Sequence, residues 1–438
     1  MSLRKKLFSD AMYTLVFRLA SMAVAAALGI LTARVLGSHG RGLYATPMVD
    51  AGIVTAAFTG LSSATSYFLL RRGAGRAIVR AALLSALAFL ASGVCATVLL
   101  TLIGHALWAA PAAALSLTGP AIMMVVIGYA TGTHRVRLTT SFGLENTGLT
   151  LLVMAATFAI GARNATGAIM AWLIATNLMG LCLLSWMVVD SRRLETGNAS
   201  TREYMRYAAR AGIVGLVTLL NYRADVYIVA VLGSPAMLGM YTLAVSAAEA
   251  LLAATQVTAV VTAPHVGSLE EGAAAQLAAR AVRHNVLVAG VCCGALALIA
   301  PFAVRLLYGA SFVPVVPALR VLLVGVFALS LGSPMSTYFT IRLGRPEVPL
   351  VLASASALVC IVASLILVPR IGLVGAALAS TVAYMGGQTA AIVWFGSASG
   401  ISATTMLVPR RSDIATYVSL AASLLARKSA GDSRAAGL

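Results

Sequence analysis

Long apolar runs, separated by short charged or glycine- and proline-rich breaks, dominate the chain. The hydrocarbon core of a bilayer needs about 20 mostly apolar residues per helix, and runs of that length recur along almost the whole sequence. They predict an all-α, polytopic membrane protein with about twelve transmembrane helices. The predicted spans are 11–33, 43–70, 79–104, 108–131, 144–161, 166–189, 208–232, 236–264, 284–307, 314–339, 348–368 and 373–395.

Composition agrees with this pattern and narrows the class of protein. Hydrophobic residues make up 60% of the 438 residues and charged residues only 10%, against roughly 45–50% and about 25% in soluble domains. The net charge of +18 would suggest a nucleic-acid partner if the basic residues formed one face of a soluble fold. They lie between apolar runs instead, so the sequence argues against nucleic acid as a partner.

The distribution of basic residues predicts the orientation in the membrane. Of the 31 Lys and Arg residues, 23 fall in segments that an even number of crossings places on the side of the N-terminus: 4–6, 71–80, 135–137, 192–210, 280–283, 342–345 and 410–434. Because Lys and Arg concentrate on the cytoplasmic side, both termini are predicted to be cytoplasmic. Six others fall at or near the opposite side, namely Arg34, Arg41, Arg163, Arg305, Arg320 and Arg370.

The connections between the spans leave little room for an extramembrane module. The longest, about 190–207 and 265–283, show no pattern of a folded domain, and the loops on the other side are short. After residue 396 only a tail follows. Within it, apolar residues of 412–426 share one helical face, which fits a helix lying on the cytoplasmic membrane surface; a disordered tail is the alternative.

An internal repeat divides the chain into two halves. Val35–Ser38 and Gly42–Tyr44 recur as Val231–Ser234 and Gly239–Tyr241, and Gly167-Ala168 matches Gly375-Ala376. Six helices thus occur twice in the same orientation, an architecture of transporters whose substrate site lies between the halves. We predict six-helix bundles over 1–190 and 208–396, a cytoplasmic linker at 191–207 and a cytoplasmic tail at 397–438. Chance recurrence of glycine turns is the alternative.

Few ionisable residues lie inside the spans, and such residues usually serve a pathway or a partner. Arg18 and Arg223 are candidates for binding an anionic substrate, because guanidinium groups hold phosphate oxygens bidentately. The three intramembrane acids, Asp50, Asp225 and Glu249, are candidates for proton or sodium coupling or for charge compensation. A structural ion pair, such as Arg18 with Asp50, is the alternative.

Motifs of enzymes are absent from the sequence. It contains no G-x-x-x-x-G-K-[ST] phosphate loop and no H-E-x-x-H, and its five cysteines lie in apolar segments without C-x-x-C spacing. We therefore expect no catalytic activity, no metal and no cofactor beyond a coupling H⁺ or Na⁺.

Three stretches of the chain resemble the polysaccharide-biosynthesis flippases of the multidrug, oligosaccharidyl-lipid and polysaccharide exporter superfamily. They are Leu220–Asp225 with Val231–Gly233, Gly239–Ala244 and Glu249; Ala33–Gly37 with Gly40–Tyr44; and Val368–Ala377. Members of that family move undecaprenyl-pyrophosphate-linked sugars from the cytoplasmic to the outer face of the bacterial inner membrane. Their motifs are turns and apolar spacings, so they indicate the family better than the substrate.

The resemblance implies a central cavity between two six-helix bundles, lined by cationic groups. Arg18, Arg223 and Asn221 are then the substrate-binding candidates. The two further helices usual in the peptidoglycan-precursor branch are not apparent, which favours precursors of O-antigen, capsule or exopolysaccharide. Membrane lipid, a polysaccharide polymerase and glycosyltransferases are the implied partners.

Two other functions remain open from the sequence. An ion-coupled multidrug exporter of the same superfamily would use Asp50, Asp225 or Glu249 for coupling and the arginines structurally. A membrane polysaccharide polymerase or ligase would need a large loop outside the cytoplasm, and the predicted topology offers none.

Overall fold

The computed structural model describes residues 3–72, 75–84, 86–87, 91, 110–195 and 200–413. Within these ranges the chain is helical apart from short connections, and no strand occurs. Eight described segments are long and apolar enough to cross a membrane, so the predicted all-α, polytopic class is confirmed. Most of the predicted span 79–104, and all but the first two residues of the predicted surface helix 412–426, lie outside the described ranges.

The described residues form twelve α-helices, together with a 3₁₀ segment at Ala310–Val315 and a π-helical turn at Tyr338–Arg342. The α-helices are α1 (Leu3–Arg72), α2 (75–84), α3 (Ala110–Gly132), α4 (Val136–Ala159), α5 (Ala165–Ser191), α6 (Thr201–Leu232), α7 (Pro235–Ser268), α8 (Glu271–Leu307), α9 (Val316–Ser330), α10 (Gly332–Thr337), α11 (Glu347–Ser399) and α12 (Ala403–Leu407). Polar caps fix some of the starts. The Asn164 side chain, for example, accepts a hydrogen bond from the Gly167 amide at 2.7 Å and so begins α5.

Two of these helices are too long for a single crossing, and each is broken at a glycine. The apolar segments of α1 and α11 hold 55 and 53 residues, more than twice the roughly 20 that span the hydrocarbon core. The backbone leaves helical geometry at Gly37 in α1 (φ 66°) and at Ile371 and Gly372 in α11 (φ 60° at the glycine). Glycine adopts positive φ without a Cβ clash. Both breaks fall between predicted spans, so about twelve crossings are consistent with the structure.

The connection between α7 and α8 is much shorter than the sequence pattern predicts. We expect a connection over 265–283, but α7 continues to Ser268 and α8 already begins at Glu271. Alanines at 274, 275, 278 and 279 are buried while Arg280 is exposed. This segment is therefore an amphipathic stretch of helix, which a search for uniformly apolar runs misses.

The outer faces of the helices are strongly apolar. Ile160, Leu298 and Val231 are 84%, 80% and 79% exposed, and many other large aliphatic side chains are similarly open. Monomers in water rarely expose large contiguous apolar surface. These exposed apolar faces are therefore suited to contact with the hydrocarbon core of a membrane.

The chain folds into two compact units. Unit 1 comprises Met1–Ser246, Ala300–Ala318 and Ala357–Ala379, and unit 2 comprises Ala247–Ile299, Leu319–Ser356 and Ser380–Leu438. The division into bundles 1–190 and 208–396 stays a prediction.

In unit 1, α1 and α6 touch backbone to backbone. A Cβ atom added at Gly60 would lie 2.0 Å from the Ala208 carbonyl oxygen, and one at Gly215 would lie 2.4 Å from the Ala56 carbonyl oxygen. Only glycine permits so close an approach, as in other packed membrane helices. The crossing fixes the two helices that carry most of the cavity described below.

The two copies of the internal repeat also meet in unit 1. A Cβ at Gly42 would lie 1.6 Å from the Pro235 carbonyl oxygen, and one at Gly239 would lie 2.1 Å from the Ser38 carbonyl oxygen. Gly42 and Gly239 are equivalent positions of the repeat, each two residues before a tyrosine. The repeated glycine therefore joins α1 to α7 at this point.

Unit 2 is built around aromatic side chains and one buried ion pair. Tyr338, Phe339 and Phe395 pack edge to face in its core. Beside them the Arg283 guanidinium donates to the Asp413 carboxylate at 2.8 Å and to the Thr405 carbonyl oxygen at 2.8 Å. Arg283 and Asp413 are only 7% and 1% exposed, so this pair holds the segment after α11 against α8.

Replacing Gly42 by alanine should destabilise the protein, because the new Cβ cannot coexist with the Pro235 carbonyl oxygen and α1 must move away from α7. Gly148→Ala is the matched control, since a Cβ at that position would have nothing within 4 Å; it should be neutral or stabilise by about 0.5–1 kcal/mol. Thermal unfolding of the purified protein in detergent measures both. Equal midpoints for the two variants would contradict the close contact.

Replacing Arg283 by methionine should cost about 3–5 kcal/mol, because it leaves the Asp413 carboxylate buried without its cation. Arg345→Met is the control: its ion pair with Glu347 is exposed and is expected to contribute about 0–1 kcal/mol. Chemical unfolding in detergent compares the two variants.

The same pair predicts a dependence on pH. Burial of Asp413 alone would raise its pKa, but the Arg410 amide and the Arg283 guanidinium outweigh burial and hold the pKa below its ordinary value. The stabilisation is therefore complete above about pH 3.9, the ordinary pKa of Asp, and is lost as the pH falls through the lower pKa of the folded state. Hydrogen exchange of residues 400–413 in the wild type should accelerate over that acidic range. A flat profile down to about pH 2 would contradict it.

Candidate functional site

A cavity of about 330 Å³ lies within unit 1, among α1, α6 and the first turns of α7. Its walls are three stripes of residues spaced three and four apart, which is the spacing of one helix face. The α1 stripe is roughly 16 Å long at a rise of about 1.5 Å per residue. The lining residues are Arg41, Tyr44, Ala45, Met48, Val49 and Gly52 of α1, Leu219, Arg223, Val226 and Tyr227 of α6, and Thr242 and Ser246 of α7.

Glycine at position 52 makes room for one wall of the cavity. A Cβ there would lie 2.8 Å from the Tyr227 hydroxyl, closer than side-chain atoms pack. The absence of a side chain at Gly52 lets the Tyr227 ring lie across α1 while the remaining volume stays open.

Two arginines give the cavity a positive charge. Arg41 enters from α1 and Arg223 from α6, and none of the described lining residues is a carboxylate. Arg41 is held in place by its Nη1 atom, which donates to the Gly29 carbonyl oxygen at 2.7 Å and to the Thr32 hydroxyl at 2.9 Å. Its orientation is therefore set by the helix segment before the Gly37 break.

Two hydrogen-bond donors at the cavity have no acceptor among the described residues. They are the Tyr44 hydroxyl and the Arg41 Nε atom, both buried, and the whole Tyr44 side chain is only 6% exposed. Buried donors in folded proteins are nearly always paired. Their presence on a cavity wall indicates a place for an oxygen-rich ligand.

Asp225 lies on α6 but is engaged elsewhere. It is 2% exposed, and its carboxylate accepts hydrogen bonds from the Tyr241 hydroxyl and from the Val226 amide. Tyr241 is itself fully buried. This carboxylate therefore ties α6 to α7 behind the cavity wall.

The other residues predicted from the sequence occupy different places. Asn221 is buried, with its Oδ1 atom lacking a partner in the described part of the chain, and does not line the cavity. Arg18 is on an exposed face of α1, and Asp50 is half-buried one position beyond Val49 and interacts electrostatically with Tyr227. Glu249 is half-buried in unit 2. Of the predicted substrate-binding residues, only Arg223 lies at this cavity.

Arg41 and Tyr44 are site residues that the sequence did not single out. Counting crossings assigns both to the turn between the first two spans or its edge, but the helix resumes directly after Gly37 and turns Arg41 and Tyr44 toward the cavity. The signal was present: residues 41, 44, 45, 48, 49 and 52 follow the spacing of one helix face, and the stripe begins inside the repeated motif.

Among the described residues, no group of three or more His, Cys, Asp or Glu side chains lies close enough together to hold a metal ion.

Comparison with known proteins identifies the fold. No protein-family model matches the chain, and no curated protein matches it in sequence. Among solved structures, an inward-facing multidrug resistance MATE family transporter of the MOP superfamily matches 89% of this chain and 94% of its own, at 17% identity and a TM-score of 0.66. The lipid II flippase MurJ in an inward closed conformation matches 88% of each chain, at 12% identity and a TM-score of 0.68.

A third solved structure is a MOP superfamily transporter from Pyrococcus furiosus, described as having a binding pocket of reverse polarity. It matches 89% of this chain and 95% of its own, at 18% identity and a TM-score of 0.53. The chain therefore has the fold of MOP superfamily transporters. The superfamily resemblance seen in the sequence is confirmed at the level of the fold, and the polysaccharide-flippase branch stays a prediction.

Replacing Tyr241 by phenylalanine should lower the free energy of unfolding by about 1–3 kcal/mol, because the buried Asp225 carboxylate loses a donor. Tyr44→Phe is the matched control. Its hydroxyl has no acceptor in the described structure, so its removal should leave stability unchanged or slightly higher. Thermal unfolding without added ligand measures both, and a loss in Tyr44→Phe as large as that in Tyr241→Phe would refute the difference between the two tyrosines.

Proposed function

We propose that the protein is a flippase that moves a lipid-linked oligosaccharide across the bacterial inner membrane, with undecaprenyl pyrophosphate as the lipid carrier. The observation that carries this proposal is the cavity of unit 1, where Arg41 and Arg223 face a space whose described lining contains no carboxylate. Such a cavity favours an anion over a cation. The product would serve O-antigen, capsule or exopolysaccharide synthesis.

The chemistry of a pyrophosphate group fits these side chains. Guanidinium groups bind phosphate oxygens through parallel N–H donors, and a site out of bulk water strengthens that attraction. The cavity arginines would lower the cost of bringing the head group away from water, while the sugars cross a wet path and the prenyl chain stays in lipid.

The membrane potential favours the proposed direction. Moving one elementary charge across the membrane is worth about 2.3 kcal/mol per 100 mV, and a lipid pyrophosphate carries about two negative charges. With both termini cytoplasmic, as the basic segments predict, export of an uncompensated head group from a negative interior is favoured by several kcal/mol. Glycosyltransferases would supply the substrate and a polymerase would consume it.

Arg18 and Asn221 remain part of the proposal as substrate contacts outside the cavity of unit 1. Arg18 lies on the same helix as Arg41, before the Gly37 break, and its exposed side chain could meet the substrate at another stage of transport. Asn221 is two residues from Arg223 and has an unpaired Oδ1 atom among the described residues.

An ion-coupled multidrug exporter is the second candidate, favoured by the MATE transporters among the structures of the same fold. Asp50, Asp225 and Glu249 would then supply the H⁺ or Na⁺ site. The Asp225 carboxylate already accepts hydrogen bonds from the Tyr241 hydroxyl and the Val226 amide and is poorly placed to bind a cationic drug directly.

Full-length protein in proteoliposomes separates the two candidates. We expect transport of a lipid-linked oligosaccharide by the wild type and a loss of at least about tenfold in Arg41→Gln and in Arg223→Gln, because each removes a charge-assisted contact to phosphate. Arg163→Gln is the control; this exposed arginine bonds only locally in the described structure, to the Phe158 carbonyl oxygen, and should transport at the wild-type rate.

Efflux of a cationic dye without movement of the lipid would overturn the proposal in favour of the exporter. Full lipid transport by both cavity variants would overturn the role of the cavity. Thermal unfolding of each variant confirms that a loss of transport is not a loss of folding.

A further inference from the structure

The two copies of the repeat differ at the position whose side chain bonds to the repeated tyrosine. Tyr44 and Tyr241 are equivalent, since each follows the repeated glycine at the α1–α7 contact. Tyr241 donates to the Asp225 carboxylate. At the offset of 196 residues that relates Val35–Ser38 to Val231–Ser234, the position equivalent to Asp225 is occupied by Gly29. The first copy thus retains the donor and lacks its acceptor.

The space near Gly29 is occupied by a positive charge instead. Arg41 Nη1 donates to the Gly29 carbonyl oxygen, and a Cβ at Gly29 would lie 3.9 Å from that same nitrogen. Where the second copy has a buried carboxylate beside its tyrosine, the first copy has a guanidinium beside its own. The first copy of the repeat therefore carries a cation beside its tyrosine, and the second copy carries an anion.

This reversal explains the two orphaned donors at the cavity. The Tyr44 hydroxyl and Arg41 Nε are buried without an acceptor in the described residues, and an unmade hydrogen bond of a buried group is costly. Every lining residue that the structure describes is apolar, a hydroxyl or cationic, so none of them supplies an oxyanion. An anionic acceptor from outside the chain fits this arrangement.

We propose that Tyr44 and Arg41 form an oxyanion seat, in which a diphosphate oxygen of the substrate accepts hydrogen bonds from the Tyr44 hydroxyl and Arg41 Nε, as the Asp225 carboxylate accepts one from Tyr241 in the second copy. This inference rests on the proposed function and deepens it, because it assigns recognition of the diphosphate to the first copy of the repeat. Arg223 adds charge from the opposite helix, and Tyr227 and Thr242 add hydroxyls at the wall. The buried Tyr44 hydroxyl distinguishes this seat from a cavity that binds anions by positive charge alone, because it adds a neutral hydrogen-bond donor.

Binding of inorganic pyrophosphate and of farnesyl pyrophosphate to the full-length protein in detergent, followed by calorimetry, tests the seat. We expect both to bind the wild type, and Tyr44→Phe to bind each about tenfold more weakly, because a hydrogen bond to a charged oxygen is lost. Tyr207→Phe is the control and should bind as the wild type, because this partly exposed tyrosine stacks on Tyr67 and is not among the residues that line the cavity. Binding of farnesyl pyrophosphate alone also supports the seat and shows that the lipid ester, not free pyrophosphate, is its ligand.

The variant Gly29→Asp places an aspartate in the first copy of the repeat, at the position equivalent to Asp225 in the second copy. Its Cβ meets only the Arg41 guanidinium, at 3.9 and 4.0 Å, so the variant is expected to fold. Its carboxylate should occupy Tyr44 and Arg41 and reduce pyrophosphate affinity by more than about a hundredfold, while Gly29→Ala should bind as the wild type.

Equal affinity in Tyr44→Phe and the wild type, or no binding of either diphosphate to the wild type, would overturn the seat. The transport assay keeps this result separate from the proposed function. Wild-type transport of the lipid-linked oligosaccharide with an unchanged KM in Tyr44→Phe refutes the seat alone. Tyr44-dependent diphosphate binding without lipid transport supports the seat and refutes the flippase.

Discussion

The contact between Gly42 and Gly239 is the constraint on which the candidate site depends. Because neither residue has a side chain, the α1 and α7 backbones meet where the two copies of the repeat begin their second helices. That meeting point places Tyr44 and Tyr241 on neighbouring helices, and Tyr241 donates to Asp225 of α6. A larger residue at either glycine would separate the helices, and both the Tyr241–Asp225 bond and the cavity wall would change with them.

A membrane helix has no hydrophobic gain from packing against another helix, so close contact and polar bonds decide its position. The glycines at 60, 212 and 215 bring α1 and α6 together at one level, and the Asp225–Tyr241 bond joins α6 to α7 at another. Near the second level α6 carries Arg223 and Tyr227, and the Tyr227 hydroxyl lies opposite Gly52 of α1. The cavity is thus a space left between these fixed contacts, and Arg41 and Arg223 line it.

Sequence reasoning predicted the helices well because the membrane imposes their length and polarity. The spans on either side of Gly37 and Gly372 follow directly from apolar runs and glycine breaks. The start of α8 was missed because residues 271–280 combine buried alanines with the exposed charges of Glu271 and Arg280, as helices in water do. The repeat was visible in the sequence, but direct contact between its two copies depends on tertiary packing that no spacing encodes.

The candidate site was predictable only in part, because tertiary packing decides which face of a helix meets the cavity. An ionisable residue inside a span can be recognised, as Arg223 was, but its helix face depends on how neighbouring helices pack. Arg18 and Arg223 look alike in sequence, yet only Arg223 lies at the cavity of unit 1. Arg41 looks like an ordinary charge at a turn until the Gly37 geometry is known. The positive charge of the cavity also depends on Asp225. Its carboxylate accepts a hydrogen bond from Tyr241 and is not among the described lining residues.

A cryo-electron microscopy structure of the full-length protein with a bound undecaprenyl-pyrophosphate-linked sugar would show where the head group binds. We expect density for the two phosphates in the cavity of unit 1, within hydrogen-bonding distance of Arg41, Tyr44 and Arg223. Phosphate density elsewhere in the protein, with this cavity empty, would contradict it.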